Sequence, residues 1–323
     1  MKRLEFSVPE SLRGSRLDQA LATWLPAELG REFSKSSVRK LIVAGAVYLN
    51  GKRVRIASKP LLPGAKLQVY LDEQKLKTPA RVEFKLTPER VLFVDDAIII
   101  VDKPAGVPTQ PTLDDARSNL YREVQRYCEA TWGAGAYVGL HHRLDRDTSG
   151  VILFTRDKAA NSSIADQFAS HTLQKTYVAL CVDTRMGSAR GRDPGRWVLK
   201  NHLKKSKGTS KRPAKMSGVK SGGDYAETSF HCLRALKLGD ARVYLIEAQP
   251  RTGRMHQIRV HLAEHGLPIL GDRLYGAPAQ PAVPRILLHA ARLEFAHPLK
   301  GERMAIESPV PKDFAEIIEG ASP

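Results

Sequence analysis

The spacing of apolar residues before residue 72 changes from a helical period to an extended one. Apolar positions three and four apart predict helices, and alternation predicts strands. We expect the first helix to end at Pro26, the second to be closed by Gly45, and a hairpin to turn at Asn50-Gly51. The predicted elements are a helix over 16–25, a helix over 36–43, a hairpin over 47–54 and a strand over 64–71.

Strands outnumber helices beyond residue 88, and short turns join many of them. This order favours an α+β body with a mixed, mainly antiparallel sheet over a repeating β-α-β unit. A polar stretch predicts a linker at 73–87 between a small α+β domain at 1–72 and a large domain at 88–323. The predicted strands cover 91–94, 97–101, 151–154, 176–180, 225–236, 241–248, 291–296 and 302–306, and the predicted helices cover 120–130, 161–171 and 256–265.

The net charge of +17 is concentrated in two segments. Residues 1–72 contain 13 Lys and Arg against 6 Asp and Glu, and residues 185–220 contain 12 against 1. Such segments fit a phosphate backbone, and neither shows the apolar face of a helix that lies on a membrane, so we expect a nucleic-acid partner. The stretch 185–220 lacks periodicity and is rich in Gly, Ser and Lys, which predicts a mobile loop or insertion.

Composition also bears on the compartment and on cofactors. No apolar stretch approaches the roughly eighteen residues of a membrane span, and the N-terminus has no signal-peptide core. The three cysteines lie far apart without metal-ligand spacing, which is typical of the reducing cytoplasm. The histidines also lack a cysteine or carboxylate at a recognised spacing. We expect a cytoplasmic monomer with no metal ion, no small-molecule cofactor and no membrane partner.

The most distinctive chemistry lies on a polar loop that leads into a buried strand. The loop 141–150 reads HHRLDRDTSG, and the apolar run 151–154 follows it. Asp145 stands between two arginines, and nearby cations favour the charged form of a carboxylate. An ionised carboxylate on a rigid element in basic surroundings suits a nucleophile that acts on a nucleic acid. The alternative is a surface loop with local ion pairs.

Separate segments of the main body occur in the order of one known family. They are KPAG at 103–106, HRLDRDTSG at 142–150, KTY at 175–177, TGRMHQIRVHL at 252–262 and GDRLYG at 271–276. Together they closely resemble the RluA-type pseudouridine synthases over about residues 88–310. Residues 14–72 resemble the S4-type RNA-binding module, which is common in bacterial members that modify ribosomal RNA.

The resemblance implies a reaction and roles for three residues. The family isomerises uridine in RNA: the bond from ribose to the ring nitrogen breaks, and the turned uracil rejoins through carbon. Asp145 matches the family's catalytic aspartate, either as a nucleophile or as a base that removes a ribose proton, and Asp147 matches a supporting carboxylate. Arg259 matches the arginine that pairs with the catalytic carboxylate, and Tyr177 matches the aromatic residue that stacks on the target uracil.

A uridine inside a stem must be flipped out before a carboxylate can reach it. We expect Arg143 to fill the space left by the base or to hold a flanking phosphate. Lys103 either contacts phosphate or supports the Asp145 loop, and Met255 replaces a threonine that is usual in the family. The residues predicted to bind substrate RNA are Arg143, Lys103, Arg254, His142, Arg39, Lys40, Lys52 and Arg53.

Several functions stay open at this point. The leading interpretation is isomerisation of specific uridines in structured RNA, with large-subunit ribosomal RNA ahead of transfer RNA. A non-catalytic RNA-binding factor for ribosome assembly would be expected to lack Asp145, Tyr177 or Arg259, and all three are present. A nucleoside hydrolase or glycosylase also places a carboxylate at a glycosidic bond. Such enzymes lack this order of motifs, however, and free nucleosides require no cationic segments.

Overall fold

The structure is a computed structural model that describes residues 2–30, 33, 35–43, 45–71, 84–111, 118–185, 192–206, 215–278 and 283–322. These residues form two compact units, one before residue 83 and one after it. Each unit has its own sheet and its own hydrophobic core. Of the predicted linker only 84–87 are described, and Leu86 is buried in the second unit. No helix in the described ranges is long and apolar enough to cross a bilayer.

The first unit is a small α+β fold in which two helices share a core with a four-stranded antiparallel sheet. Its elements are β1 (Lys2–Ser7), α1 (Leu17–Leu29), α2 (Lys35–Val43), β2 (Val47–Leu49), β3 (Lys52–Val54) and β4 (Lys66–Leu71). The strand order is β1-β4-β2-β3. Asn50 and Gly51 join β2 to β3 with φ angles of 50° and 76°, so the predicted hairpin turn is confirmed.

Two features of the first unit differ from the prediction. The helix α1 continues through Pro26 and ends at Gly30, which has a φ of 61°. A proline inside a helix removes a single main-chain donor, whereas the left-handed glycine ends the helix. The strand β1 is absent from the predicted elements because its apolar alternation spans only six residues. It is stabilised by pairing with β4, from Lys2 opposite Leu71 to Ser7 opposite Lys66.

The second unit is built on one large sheet. Its described strands are β5 (Val91–Val94), β6 (Ile98–Lys103), β7 (Gly139–Leu140), β8 (Ser149–Thr155), β9 (Gln174–Val182), β10 (Arg196–Lys205), β11 (Met216–Val219), β12 (Asp224–Leu238), β13 (Ala241–Pro250), β14 (Leu288–Ala296) and β15 (Arg303–Glu307). Its described helices are α3 (Leu120–Trp132), α4 (Ala160–Ala169), α5 (Gln257–Glu264) and α6 (Lys312–Glu319).

The sheet of the second unit is mixed, and nearly all its strand pairs are antiparallel. Its order is β11-β10-β12-β13-β9-β14-β8-β6-β5, with β15 beside β14 and β7 beside β8. Among the described strands only β8 and β14 run parallel to each other. The predicted α+β architecture is therefore confirmed. Every strand and helix predicted beyond residue 88 is present. The strand β5 has the predicted bounds, the others differ at one or both ends, and β7, β10, β11 and α6 are additional.

The centre of this sheet positions the Asp145 loop. The strand β8 follows that loop and is buried at every position. Gly150, with a φ of 117°, lets β8 approach β14 closely, because a Cβ atom there would lie 2.2 Å from the carbonyl oxygen of Ala290. Ala290 also pairs with Tyr177 on β9. Gly150, Ala290 and Tyr177 therefore lie in one row across three strands, which brings Tyr177 close to the loop.

The prediction of a mobile loop at 185–220 is wrong for the parts of that stretch that the structure describes. The strand β10 pairs with β12 from Arg196 opposite His231 to Leu203 opposite Asp224, and β11 pairs with β10. Trp197 anchors the inward face of β10, with its ring centroid 5.1 Å from that of Phe230. The sequence pattern did not predict this strand, because exposed Lys and Arg side chains alternate with the inward residues of β10. Residues 186–191 and 207–214 lie outside the described residues.

Candidate active site

A cavity of about 660 Å³ opens where the Asp145 loop, β9 and the N-terminal end of α5 meet. Its walls contain six residues predicted from the sequence, although the segments that supply them lie far apart along the chain. Two of these residues, Asp145 and Arg259, are 114 positions apart and hydrogen-bonded. The six are Asp145, Tyr177, Arg259, Arg143, His142 and Arg254.

Arg259 on α5 joins two carboxylates. Its Nη1 donates to Oδ2 of Asp145 at 3.0 Å, and its Nε and Nη2 donate to the two oxygens of Asp272 at 2.6 and 3.0 Å. The side chains of Arg259 and Asp272 are 7% and 1% exposed. Burial opposes the guanidinium charge, but the hydrogen bonds and charge of Asp272, followed by those of Asp145, raise the pKa of Arg259. Arg259 therefore stays charged and directs one nitrogen at Asp145.

Asp272 is a site residue that the sequence interpretation missed. It lies behind Arg259 rather than on the cavity wall, so it acts through the guanidinium. Gly271 turns the chain sharply just before it: φ is 81°, and a Cβ atom there would lie 1.9 Å from the carbonyl oxygen of Arg285. The signal that could have found Asp272 is its position inside the GDRLYG segment.

A glutamine holds the turn that leads into α5. His256 takes the left-handed conformation at the N-cap, with a φ of 55° and no capping side chain. Oε1 of Gln257 accepts the main-chain N–H of Arg254 at 2.9 Å and the hydroxyl of Thr252 at 2.7 Å. Nε2 of the same residue donates to the hydroxyl of Thr228 on β12 at 2.9 Å. These bonds fix the first turn of the helix that carries Arg259.

His256 is a second residue that the sequence interpretation did not assign to the site. Its Nε2 lies 3.8 Å from Oδ2 of Asp145, and its Nδ1 lies 2.9 Å from the hydroxyl of Tyr275. Burial, opposed by the charge of Asp145, lowers the pKa of His256, so the ring is neutral at pH 7. The Tyr275 hydroxyl also accepts the main-chain N–H of Met216 at 3.0 Å. A line of contacts therefore runs from β11 to Asp145.

Tyr177 forms another wall of the cavity, on β9. Its side chain is half-buried, and its hydroxyl has no hydrogen-bond partner among the described residues. Burial, and then the negative charge of Asp145, raise the pKa of Tyr177 above its ordinary value. The ring is therefore a flat, uncharged surface with an unionised hydroxyl at neutral pH.

Lys103 supports the Asp145 loop, and the predicted contact with phosphate is wrong. The side chain is fully buried. Its Nζ donates to the carbonyl oxygens of Pro104 at 3.0 Å, Val107 at 2.7 Å and Arg146 at 2.8 Å. Burial lowers the pKa of Lys103 to about 7, against the charges of nearby aspartates. All three ammonium hydrogens are directed at main-chain oxygens, so none reaches a ligand.

The other predicted contacts of the second unit differ in exposure. Nε2 of His142 accepts the main-chain N–H of Leu153 at 2.9 Å, and burial lowers the pKa of this histidine to about 3, so it is a neutral part of the wall. Nε of Arg254 donates to the carbonyl oxygen of Tyr225 at 3.0 Å. Arg143 is exposed and has no hydrogen bond or ion pair with a described residue. Its guanidinium is available to a ligand.

In the first unit, Arg39 is already paired. Its Nε donates to Oδ2 of Asp18 at 2.8 Å, and Arg16 binds the same buried carboxylate. The hydrogen bond from Arg16 and then that from Arg39 lower the pKa of Asp18 to about 2, despite burial. Arg39 thereby links α2 to α1, and part of its side chain stays exposed to solvent. The other predicted contacts are Lys52 and Arg53, which are exposed on β3, and Lys40, whose side chain lies outside the described residues.

Comparisons with known proteins agree with this geometry. The RNA pseudouridylate synthase family matches residues 97–264, and the S4 domain matches residues 16–67. The ribosomal large subunit pseudouridine synthase D of Neisseria meningitidis serogroup A is 30% identical, over 98% of this chain and 81% of that protein. An uncharacterized RNA pseudouridine synthase of Chloroflexus aurantiacus is 32% identical, over 96% of this chain and 91% of that protein.

A solved structure shares the fold. The human RNA pseudouridylate synthase domain containing 4 superposes with a TM-score of 0.55 at 22% identity. The match covers 72% of this chain and 92% of the human chain.

Proposed function

This chain belongs to the RNA pseudouridylate synthase family, and we propose that it isomerises specific uridines of large-subunit ribosomal RNA to pseudouridine. The observation that carries the proposal is the Asp145 carboxylate, held by Arg259 at 3.0 Å in a cavity that Tyr177 also lines. The Neisseria relative, a ribosomal large subunit synthase by name, matches almost the whole chain and supports the choice of RNA.

The isomerisation needs no second reactant. The bond between C1′ of ribose and N1 of uracil breaks, and a bond between C1′ and C5 forms. C5 loses a proton and N1 gains one, so the atoms balance. Asp145 acts in one of two ways: its carboxylate attacks C1′ and is displaced when C5 attacks, or it removes a ribose proton. In both cases Arg259 directs the carboxylate, and Asp272 directs Arg259.

Tyr177 provides the surface on which the uracil turns. A stacked aromatic ring tolerates rotation of a base, because stacking depends less on direction than hydrogen bonds do. The raised pKa of Tyr177 keeps its hydroxyl protonated at neutral pH. The ring therefore adds no second negative charge beside Asp145.

Arg143 contacts the RNA where the flipped base has left its stack. The uridine must leave its stack to reach Asp145, which costs a few kcal/mol. Arg143 lies on the same loop, is exposed and has no partner among the described residues. A guanidinium in this position either fills the gap in the stem or binds a flanking phosphate.

The cationic residues outside the cavity supply affinity without sequence selection. The S4 domain and the strands within 185–220 carry most of the net positive charge and bind the phosphate backbone. The enzyme acts as a monomer in the cytoplasm. Transfer RNA is the second candidate substrate.

The test uses ribosomal and transfer RNA from cells that lack the gene, labelled with tritium at C5 of uracil. Isomerisation releases this tritium to water, and chemical labelling then maps the new pseudouridines. We expect release from large-subunit ribosomal RNA, at positions that are pseudouridine only in cells with the gene. Release from transfer RNA alone would identify transfer RNA, and not ribosomal RNA, as the substrate. Formation of free uracil would indicate a glycosylase, and no reaction with either RNA would contradict the proposal.

A further inference from the structure

A second cleft, of about 460 Å³, lies beside the active-site cavity. The ends of β10 and β11, the turn before β12 and Met255 form its walls. Met255 stands between Arg254 and His256, which both line the main cavity. Residues 254–256 therefore contribute to the walls of both spaces.

One wall of this cleft is cationic. Lys204 and Lys205, at the end of β10, are exposed and line it. Neither side chain has an ion pair or a hydrogen bond with a described residue. Because successive side chains of a strand point to opposite faces, each ammonium group fits a separate phosphate of a nucleic-acid backbone.

The rest of the cleft suits a planar ring. The side chain of Met255 is 38% exposed, and its thioether is apolar and makes favourable contacts with aromatic rings. Gly223 lies directly on β10, because a Cβ atom there would be 2.7 Å from the carbonyl oxygen of Leu203. Gly222 and Gly223, which both line the cleft, add no side chain to it. Asp224 adds an exposed carboxylate that can accept a hydrogen bond from an amino or hydroxyl group.

We propose that this cleft binds the nucleotide next to the target uridine, with its base on Met255 and the phosphates on either side of it on Lys204 and Lys205. The assignment rests on the proposed function. Flipping a uridine removes a stacking partner from its neighbour, and an apolar surface in the cleft replaces that partner. The volume of the cleft lies in the range of about 300–1,000 Å³ that is usual for ligand pockets.

The cleft is also fixed relative to the reacting carboxylate. Met216 lines the cleft, and its main-chain N–H donates to the Tyr275 hydroxyl at 3.0 Å. That hydroxyl contacts His256, which lies 3.8 Å from Asp145. Because these contacts join β11 to the Asp145 loop, a nucleotide seated in the cleft positions the uridine beside it.

The experiment combines protein variants with changes in the RNA. The probe is a fluorescein-labelled stem-loop with one unpaired uridine between two adenosines, and two further versions replace the 5′ or the 3′ adenosine with an abasic nucleotide. Binding is measured by anisotropy at several salt concentrations for the wild-type chain and for Met255→Ala, Lys204→Ala and Lys205→Ala. The control is Lys237→Ala, an exposed lysine near the far end of β12, about 40 Å from Asp224 at 3.3 Å per residue.

We expect Met255→Ala to weaken binding of the intact stem-loop about two- to tenfold, and to have no effect on one of the two abasic versions. Each cleft lysine variant lowers the salt dependence of binding by about one phosphate contact, and Lys237→Ala does not. Equal losses by Met255→Ala on all three RNAs would overturn the inference. Equal losses together with pseudouridine formation would leave the proposed function standing. A Met255→Ala loss that disappears on one abasic RNA, without any pseudouridine formation, would refute only the proposed function. Failure of the wild-type chain to bind the stem-loop contradicts both.

Discussion

Replacing Asp272 with asparagine tests whether the buried Asp272 carboxylate holds Arg259 in position to bind Asp145. The two side chains have the same shape, but the variant removes a buried negative charge and turns one acceptor into a donor that faces the guanidinium. Breaking a buried ion pair costs about 3–5 kcal/mol when a charge is left without its partner. Because Arg259 keeps its bond to Asp145 and asparagine keeps one oxygen, we expect the free energy of unfolding to fall by about 2–3 kcal/mol.

The effect on catalysis should be larger than the effect on RNA binding. The bonds at 2.6 and 3.0 Å to Asp272 hold the plane of the Arg259 guanidinium. A shift of about 1 Å in its Nη1 would misplace Asp145 and lower kcat about 100-fold. Asp272 is 1% exposed and behind the cavity wall, so KM should change little.

Tritium release at saturating and limiting RNA measures kcat and KM, and denaturant unfolding measures stability. The control is Asp313→Asn, because Arg285 binds that carboxylate in the same two-bond geometry, at 2.5 and 2.8 Å. The side chain of Asp313 is 43% exposed, so the control should lose about 0–1 kcal/mol and keep its kcat. An Asp272→Asn protein with the wild-type kcat, or with a changed KM alone, would refute the positioning role.

Three further predictions follow from the same contacts. Lys103→Met leaves the carbonyl oxygens of Pro104, Val107 and Arg146 without their donor, so the free energy of unfolding should fall by about 3 kcal/mol or more. The salt dependence of RNA binding should not change. A shallower salt dependence would point instead to a phosphate contact. Tyr177→Ala should weaken RNA binding by about 1–3 kcal/mol in a titration, and Tyr177→Phe should bind RNA like the wild type. An RNA affinity of Tyr177→Phe as low as that of Tyr177→Ala would exclude stacking. The pKa of Asp18 is lowered in the folded protein to about 2, so its contribution to stability is present above about pH 4 and is lost as the pH falls through 2. Acid unfolding of Asp18→Asn should therefore be less steep across this range, and curves parallel to the wild type would count against the buried ion pair.

The fold could be predicted where apolar periodicity is strong. The apolar run at 151–154 predicted β8, which is buried at every position because α3 and α4 contribute to separate cores on its alternate side chains. The strand β10 escaped prediction because basic residues alternate with an inward face that is itself partly polar. Oδ1 of one inward residue, Asn201, accepts a hydrogen bond from Nε2 of His261 at 2.9 Å, a contact between positions 60 apart. Such pairing is invisible to a local pattern.

The candidate site could be predicted to the level of residue types. Its motifs identified Asp145, Tyr177 and Arg259, and the structure brings all three to one cavity. The sharing of Arg259 with Asp272 could not be predicted, because it depends on a turn and on burial far along the chain. The role of Lys103 likewise depended on three carbonyl oxygens that converge only after folding.

The central claim is that the Asp145 carboxylate carries out the isomerisation. Asparagine at this position keeps the shape of the side chain and an oxygen for Arg259, but it is neither a nucleophile nor a base. The decisive measurement is tritium release by Asp145→Asn, beside its RNA affinity and beside an Asp147→Asn control on the same loop. The account predicts no release by Asp145→Asn at wild-type RNA affinity, and measurable release by Asp147→Asn. Release by Asp145→Asn at the wild-type rate would contradict it.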